Sequence, residues 1–196
     1  MYVESFFRDT RFNMYISWVL TLSVLAVFFE SLADLDLLWI LFSGFTLAVL
    51  VIPPFSYKNL KIMLPWEVIL LAVIPILVRT FQISVLANEI ATYTAFAGLA
   101  LIIAVELHVF TNVKFNHAFA ILFTVISTLA IAGLWAILRF QMDIYLGTSY
   151  LSTNQALMDE FAKVLAAGTI AGIMFDTYFR KRDSYFRKGI EKVIGR

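Results

Sequence analysis

The stretch FNHAFAILFTVISTLAIAGLWAILRF, residues 115–140, is a nearly continuous apolar run. A helix needs about 20 predominantly apolar residues to cross the hydrocarbon core of a bilayer. The run exceeds that length, so it predicts a transmembrane helix that tilts in the membrane or projects beyond it.

The composition of the whole chain agrees with this prediction. Apolar residues make up 61% of the 196 positions and charged residues 15%, against about 45–50% and about 25% in soluble domains. The apolar excess must therefore face lipid. The chain has no cysteine and only two histidines, His108 and His117, which excludes disulfides and thiolate zinc sites. We expect no metal site, no cofactor and no nucleic-acid partner.

Five other apolar stretches qualify, although the second is short, so the sequence predicts an all-α polytopic bundle of six transmembrane helices within residues 1–179. The predicted spans are 14–32, 37–52, 66–86, 90–109, 115–140 and 157–179. The Pro53–Pro54 pair is expected to stop the second span, and Pro65 suits the first turn of the third. Ser152 and Gln155 have capping-box spacing, which places the start of the last helix near Thr153.

The basic residues predict the orientation of these spans. Twelve of the 15 Lys and Arg residues lie in the N-terminal segment, the 53–65 and 110–116 loops and the C-terminal tail. The intervening loops, 31–36, 87–89 and 141–156, contain none of them and carry four acidic residues. Because cytoplasmic loops hold the positive excess, both termini are predicted to be cytoplasmic.

The tail, residues 180–196, has a helical repeat of apolar residues at Phe186, Ile190, Val193 and Ile194 among basic ones. This pattern predicts an amphipathic helix lying on an anionic leaflet, which makes anionic lipid at the cytoplasmic face a predicted partner. The alternative is a frayed basic tail whose only role is to set the membrane topology.

Ionisable and polar side chains inside spans are the candidate functional residues, because they must face the bundle interior, pair or reach the interface. On the third span, Arg79 lies one turn beyond the kink expected at Pro75, and Gln82 shares its face. An arginine at such a kink would bind an anionic group. In the alternative reading Arg79 extends to the outer interface or pairs with an outer acid.

The fifth span carries a polar stripe that begins at His117 and ends at Arg139. With Arg79, Arg139 would line an outward-facing cavity that attracts phosphate or carboxylate. On the inner side, Glu106, His117 and Asp176 are candidates for holding a proton or a cation. The alternative is that these charges form interhelical pairs that fix the packing.

The sixth span contains the spacing Gly168-x-x-x-Gly172. Glycines at this spacing allow two helix backbones to approach closely, so this face is predicted to pack inside the bundle.

Short motifs between residues 116 and 175 carry a family resemblance. They read NHAFAILF from 116, GLWAILRFQMDIYLGT from 133, NQALMDE from 154 and AAGTIAG from 166. This segment resembles the YjdF-type, VanZ-like group of small multi-spanning membrane proteins. The positions that match its pattern are His117, Trp135, Arg139, Asp143, Gly147, Thr148, Met158 and Asp159. Ala136 stands where the pattern has an acid, so Glu106 or Asp143 would have to substitute for any chemistry of that acid.

The resemblance implies a site at the ends of the fifth and sixth spans and in their connecting loop, within the cell envelope. Arg139, Asp143, Thr148 and Asp159 would belong to it, and we expect the plasma membrane of a prokaryote. The spacings Arg139–Asp143 and Asp159–Lys163 also suit ion pairs along one helix, which is the simpler alternative.

Three hypotheses of function follow. The first is a binding or transport protein with an arginine-lined cavity for an anionic or lipid-headgroup ligand. The second is a structural or assembly subunit whose buried charges pack helices and which meets a membrane-protein partner or a second copy. The third, a membrane enzyme, would need carboxylates for acid–base work, and no pair has recognisable catalytic spacing.

Overall fold

A computed structural model describes residues 10–81, 84–110, 116–151 and 153–179. These residues form helices joined by short connections, as the sequence predicts. The six α-helices are α1 (Thr10–Ala33), α2 (Leu37–Ser56), α3 (Trp66–Thr80), α4 (Val85–Phe110), α5 (His117–Leu146) and α6 (Asn154–Met174), and a π-helical turn, Phe175–Phe179, follows α6.

Four of the helices in the described part of the chain, α1, α2, α4 and α5, are long and apolar enough to cross a membrane. The third helix, α3, is apolar but shorter. The last, α6, carries Asp159, Glu160 and Lys163 in its first three turns. The fold is thus a helical bundle in which at least these four helices suit a bilayer.

The expectation that Pro53–Pro54 end the second helix is wrong, since α2 continues to Ser56. Proline loses its own N–H but keeps its carbonyl and a helical φ. Both carbonyls are used here: Tyr57 N–H donates to Pro53 O at 3.1 Å, and Asn59 N–H donates to Pro54 O at 3.0 Å. The prolines therefore lie inside the last turn.

The predicted third span, 66–86, is also corrected. The helix α3 ends at Thr80, and α4 begins at Val85. Ser84 accepts a hydrogen bond from Ala87 N–H through its hydroxyl at 3.1 Å, which starts the new helix. The mean hydropathy of the stretch, on which the predicted span rests, does not detect this capping hydroxyl. At the last connection, Thr153 caps α6 by accepting from Ala156 N–H, while Ser152 lies outside the described residues.

The core is built around α4, which contacts α2, α3, α5 and α6. Its tightest contact is with α3 at Gly98, where an added Cβ would lie 2.7 Å from Ala72 Cα. Phe96, Leu99 and Ile102 of α4 are fully buried, and Phe96 packs on Phe42 of α2 and Trp135 of α5. The absence of a side chain at Gly98 lets the two backbones approach this closely.

Contacts between helix ends show that the helices alternate in direction. At one end, called the charged end, Trp39 in the first turn of α2 packs on Trp135 in the second half of α5, with ring centroids 5.7 Å apart. The starts of α6 and α4 meet there too, through Lys163 and Glu89.

The other end, called the loop end, contains the 57–65 connection. Asn13 at the start of α1 hydrogen-bonds to both Leu64 and Trp66 there. Phe175, which follows α6, packs edge-on against His108 near the end of α4, at 5.9 Å between ring centroids. Each helix therefore runs from one end of the bundle to the other.

Candidate functional site

The candidate site lies at the charged end, where the start of α4, the end of α5 and the start of α6 converge. Its members are two cationic side chains, two carboxylates and a phenol, here called the ion-pair cluster: Glu89, Tyr93, Arg139, Glu160 and Lys163. Each helix contributes at least one member, so the cluster links all three.

The central contact is between α5 and α6. Arg139 Nη2 donates to Glu160 Oε2 at 2.6 Å, and the two side chains are 15% and 14% exposed. A charge-assisted hydrogen bond of this length is among the stronger polar contacts in proteins. At this burial, water screens the pair less than it screens a surface pair, so the loss of either partner leaves a poorly solvated charge.

A second ion pair joins α6 to α4. Lys163 Nζ lies 3.0 Å from Glu89 Oε2, and both side chains are about half exposed. The same ammonium lies 5.6 Å from the ring centroid of Tyr93, within the range of a cation–π contact. Exposed ion pairs contribute little to stability, because water screens the charges. This contact therefore orients Lys163 more than it stabilises the bundle.

The alternative of pairing along one helix is not what the geometry shows. Arg139 reaches across to Glu160, and Lys163 reaches across to Glu89. Asp159 instead accepts a hydrogen bond from Gln155 Nε2 at 3.2 Å. Arg139 and Lys163 each pair with a carboxylate of a neighbouring helix and not with the acid four positions away on their own helix. Helix packing brings these interhelical carboxylates within reach of the two cations.

Asp143 organises the α5–α6 connection. Its carboxylate accepts from Thr148 Oγ1 at 2.6 Å, from Tyr150 N–H at 2.8 Å and from Leu151 N–H at 2.9 Å. Gly147 ends α5 in a left-handed conformation, with φ of 66°, which turns the chain back toward this carboxylate. Asp143 and Thr148, both predicted as ligand-binding residues, thus bind each other and hold the loop.

An aromatic cluster lies one turn below the ion pairs. It consists of Trp39, Phe42, Phe96 and Trp135, with edge-to-face contacts between 5.4 and 5.9 Å. Such contacts add a modest stabilisation to the one that burial of the rings provides. Because Trp135 is one turn before Arg139 and Phe96 one turn after Tyr93, the rings close the bundle beneath the charges.

The face of α6 below the cluster packs on α5 through its glycines. A Cβ at Gly168 would lie 3.0 Å from Thr128 Cβ, and one at Gly172 would lie 3.1 Å from Ile121 Cα. The Thr128 hydroxyl donates to Thr124 O, and that of Thr124 to Ala120 O, both within α5. In these turns the threonines of the α5 polar stripe bond to their own helix, and α6 packs closely against them.

The remaining predicted residues are spread over the molecule. Arg79 lies in the last turn of α3 and His117 in the first residue of α5, but their side chains, like Gln82, fall outside the described part. Glu106 is partly buried in α4, and its Oε1 has no hydrogen-bond partner among the described residues. Asp176 lies in the π-helical turn. Within the described residues, no group of three potential metal ligands comes together.

The two carboxylates of the cluster, Glu160 and Glu89, were not identified from the sequence as partners of the cations, and neither was Tyr93. A signal for Glu160 was present: Glu160, Val164, Gly168 and Gly172 follow at steps of four and therefore share one helical face. Since the glycine spacing predicts that this face packs inside the bundle, Glu160 on the same face points to a buried partner. Glu89 offers no comparable signal, because its partner lies 74 positions away.

Comparisons with known proteins match one part of the chain. Residues 2–63 match a family described as a domain of unknown function, DUF8268. The match covers less than half of the chain; within the described residues it spans α1, α2 and most of the connection to α3. No curated protein and no solved structure matches the chain. The resemblance to the VanZ-like group concerns other residues, 116–175, and stays a prediction.

Proposed function

We propose that the chain is an integral membrane protein with six spans, both termini in the cytoplasm and a prokaryotic plasma membrane as its location. The distribution of Lys and Arg over the loops supports the orientation. The alternating direction of the six helices supports the number of spans. In this arrangement the charged end faces outward, and the loop end, with Lys58 and Lys61, faces the cytoplasm.

Within this topology, the role that the geometry supports best is a structural or assembly subunit of a membrane complex. The observation that carries it is the 2.6 Å contact between Arg139 and Glu160. Glu89 neutralises Lys163 in the same cluster. Each of the two cations therefore has its own carboxylate from a neighbouring helix, and the cluster has no net positive charge to attract an anion.

A charge exchange tests this role. Arg139→Glu and Glu160→Arg each place two like charges together, so each should destabilise the bundle and weaken any assembly. The double variant R139E/E160R restores opposite charges across the interface. If the pair serves packing, the double variant recovers both the melting temperature and the assembly.

The assembly itself is measured by native mass spectrometry of the full chain released from its membrane. A structural subunit should carry a partner, a second copy or another membrane protein, in addition to its own 22.3 kDa. A chain that stays monomeric, at all concentrations and in every host membrane tested, would contradict the assembly role.

A second candidate function, the binding of an anionic or lipid-headgroup ligand in an arginine-lined cavity, rests on one observation. Arg139 Nε is buried and has no hydrogen-bond partner among the described residues. Arg79 belongs to the end of α3 at the same end of the bundle. This function requires that Arg79→Ala and Arg139→Ala weaken the association of phosphate or of an anionic lipid. It also requires that R139E/E160R, although folded, does not recover that association.

A further inference from the structure

The connection between α2 and α3 is attached to α1 by side-chain hydrogen bonds. Trp18 Nε1 donates to Leu60 O at 3.0 Å, and Ser17 Oγ donates to Leu64 O at 3.0 Å. Asn13 binds both sides of Pro65: its Nδ2 donates to Leu64 O at 3.2 Å, and its Oδ1 accepts from Trp66 N–H at 2.9 Å. These bonds hold a non-helical segment in one conformation.

The connection is divided into a buried and an exposed part. Ile62, Met63 and Leu64 are buried inside the bundle, where irregular backbone is tolerated because protein groups satisfy it. Residues in the last turn of α2 and in the first part of the connection are exposed instead. Phe55 is 71% exposed and Leu60 is 62% exposed, and both Lys58 and Lys61 are exposed as well.

Lys58 adopts a left-handed conformation, with φ of 48°. Glycine or asparagine is the usual residue at such a position after a helix, because a larger side chain is strained there. Asn59 follows and stabilises the turn: its side chain accepts from Lys61 N–H and its carbonyl from Ile62 N–H, both at 3.0 Å. A lysine therefore occupies a position where glycine would be more stable, and a second exposed lysine, Lys61, follows three residues later.

We propose that Phe55, Lys58, Leu60 and Lys61, here called the headgroup loop, form a binding site for an anionic phospholipid at the cytoplasmic face. The two ammonium groups contact the lipid phosphate, and the two apolar side chains enter the boundary between headgroups and acyl chains. The complementary charge and the attachment to α1 favour this occupant. The inference rests on the proposed six-span topology, which places this loop inside.

The chain has no cysteine, so a single thiol gives a local measurement. Ser56→Cys, next to the headgroup loop, carries a bimane label on the full chain, which is reconstituted in phosphatidylcholine vesicles containing a minor fraction of phosphatidylglycerol. Quenching by spin-labelled phosphatidylglycerol is compared with quenching by the equivalent phosphatidylcholine. Ser149→Cys, an exposed serine at the charged end, is the matched position.

The expected result is stronger quenching by phosphatidylglycerol at position 56 and equal quenching by both lipids at position 149. Adding Lys58→Gly and Lys61→Gln should lower the preference at position 56 by about five-fold for each lysine. Because glycine relieves the left-handed strain at position 58, K58G should melt no lower than the parent chain. A lost preference then cannot be explained by unfolding.

Lys188→Gln with Lys192→Gln removes the same charge from the tail and should leave the preference at position 56 unchanged. The proposal is overturned by equal quenching at position 56 in the parent, by a preserved preference in K58G/K61Q, or by an equal loss in the tail variant. A membrane-impermeant thiol reagent tests the topology separately. If it reaches positions 56 and 149 from the same side, the six-span arrangement fails whatever the lipid preference.

Discussion

Glu160 of α6 holds the guanidinium of Arg139 on α5 at 2.6 Å, with both side chains nearly buried. Glu160 lies on the α6 face that continues through Gly168 and Gly172, where a Cβ added at either glycine would meet Thr128 or Ile121 of α5. The polar contact and the close packing therefore define one interface. We expect α5 and α6 to behave as a unit that the connecting loop reinforces.

Removal of either partner of this pair should destabilise the protein, because the remaining charge loses its partner. Glu160→Ala leaves a nearly buried guanidinium without its carboxylate, at a cost of about 2 kcal/mol, between the values for exposed and buried pairs. The double variant R139A/E160A should lose less than the sum of the single variants. Equilibrium unfolding in mixed micelles measures all three, and additive losses would mean that the two side chains are not coupled.

The contact between α3 and α4 should not tolerate a methyl group. In Gly98→Ala the new Cβ would meet the backbone at Ala72 Cα, at 2.7 Å, so the helices must move apart. We expect a loss of about 3 kcal/mol in the free energy of unfolding.

Gly133→Ala is the matched control for this substitution. Gly133 lies inside α5, and a Cβ there would have nothing within 4 Å. Alanine is favoured over glycine in a helix by about 1 kcal/mol, so this variant should be neutral or more stable. Equal losses in the two variants would show that the packing at Gly98 does not matter.

Gly168→Ala should weaken the α5–α6 interface by about 1–2 kcal/mol, because its Cβ meets the Thr128 side chain at 3.0–3.3 Å. Part of this clash involves Oγ1 and Cγ2, which alanine lacks. The second substitution, Thr128→Ala, should therefore recover part of the loss. Thermal unfolding of the single and double variants tests this, and an absence of recovery would place the strain elsewhere.

Asp143→Ala should loosen the α5–α6 connection, because it removes the acceptor of three hydrogen bonds. We expect a lower melting temperature, because three hydrogen-bond donors lose their acceptor, and faster amide hydrogen exchange at Tyr150 and Leu151. Asp159→Ala, at an exposed position in the next helix, should change stability by less than about 0.5 kcal/mol. If exchange is unchanged in Asp143→Ala, the loop does not depend on this carboxylate.

Two helix boundaries predicted from the sequence are wrong for the same reason. The prediction that α2 ends at Pro53–Pro54 considered the missing N–H groups but not the two carbonyls, which accept from residues beyond the helix. The prediction that the third span continues to residue 86 followed the average apolarity across Ser84, whose hydroxyl caps the next helix. In both cases individual hydrogen bonds at the helix end set the boundary. A hydropathy average carries no information about such bonds.

The long apolar run at 115–140 by itself predicts a helix that can cross a membrane, and similar runs along the chain predict the helical bundle, in which four of the described helices are long and apolar enough to span a bilayer. Helical periodicity likewise placed Gly168 and Gly172 on a packing face. These properties are local, because helix length, apolarity and capping depend on neighbouring residues. Only the tertiary structure decided that Arg139 pairs with Glu160 and Lys163 with Glu89, and that Asp143 closes a loop. Those contacts depend on which helices become neighbours in the bundle.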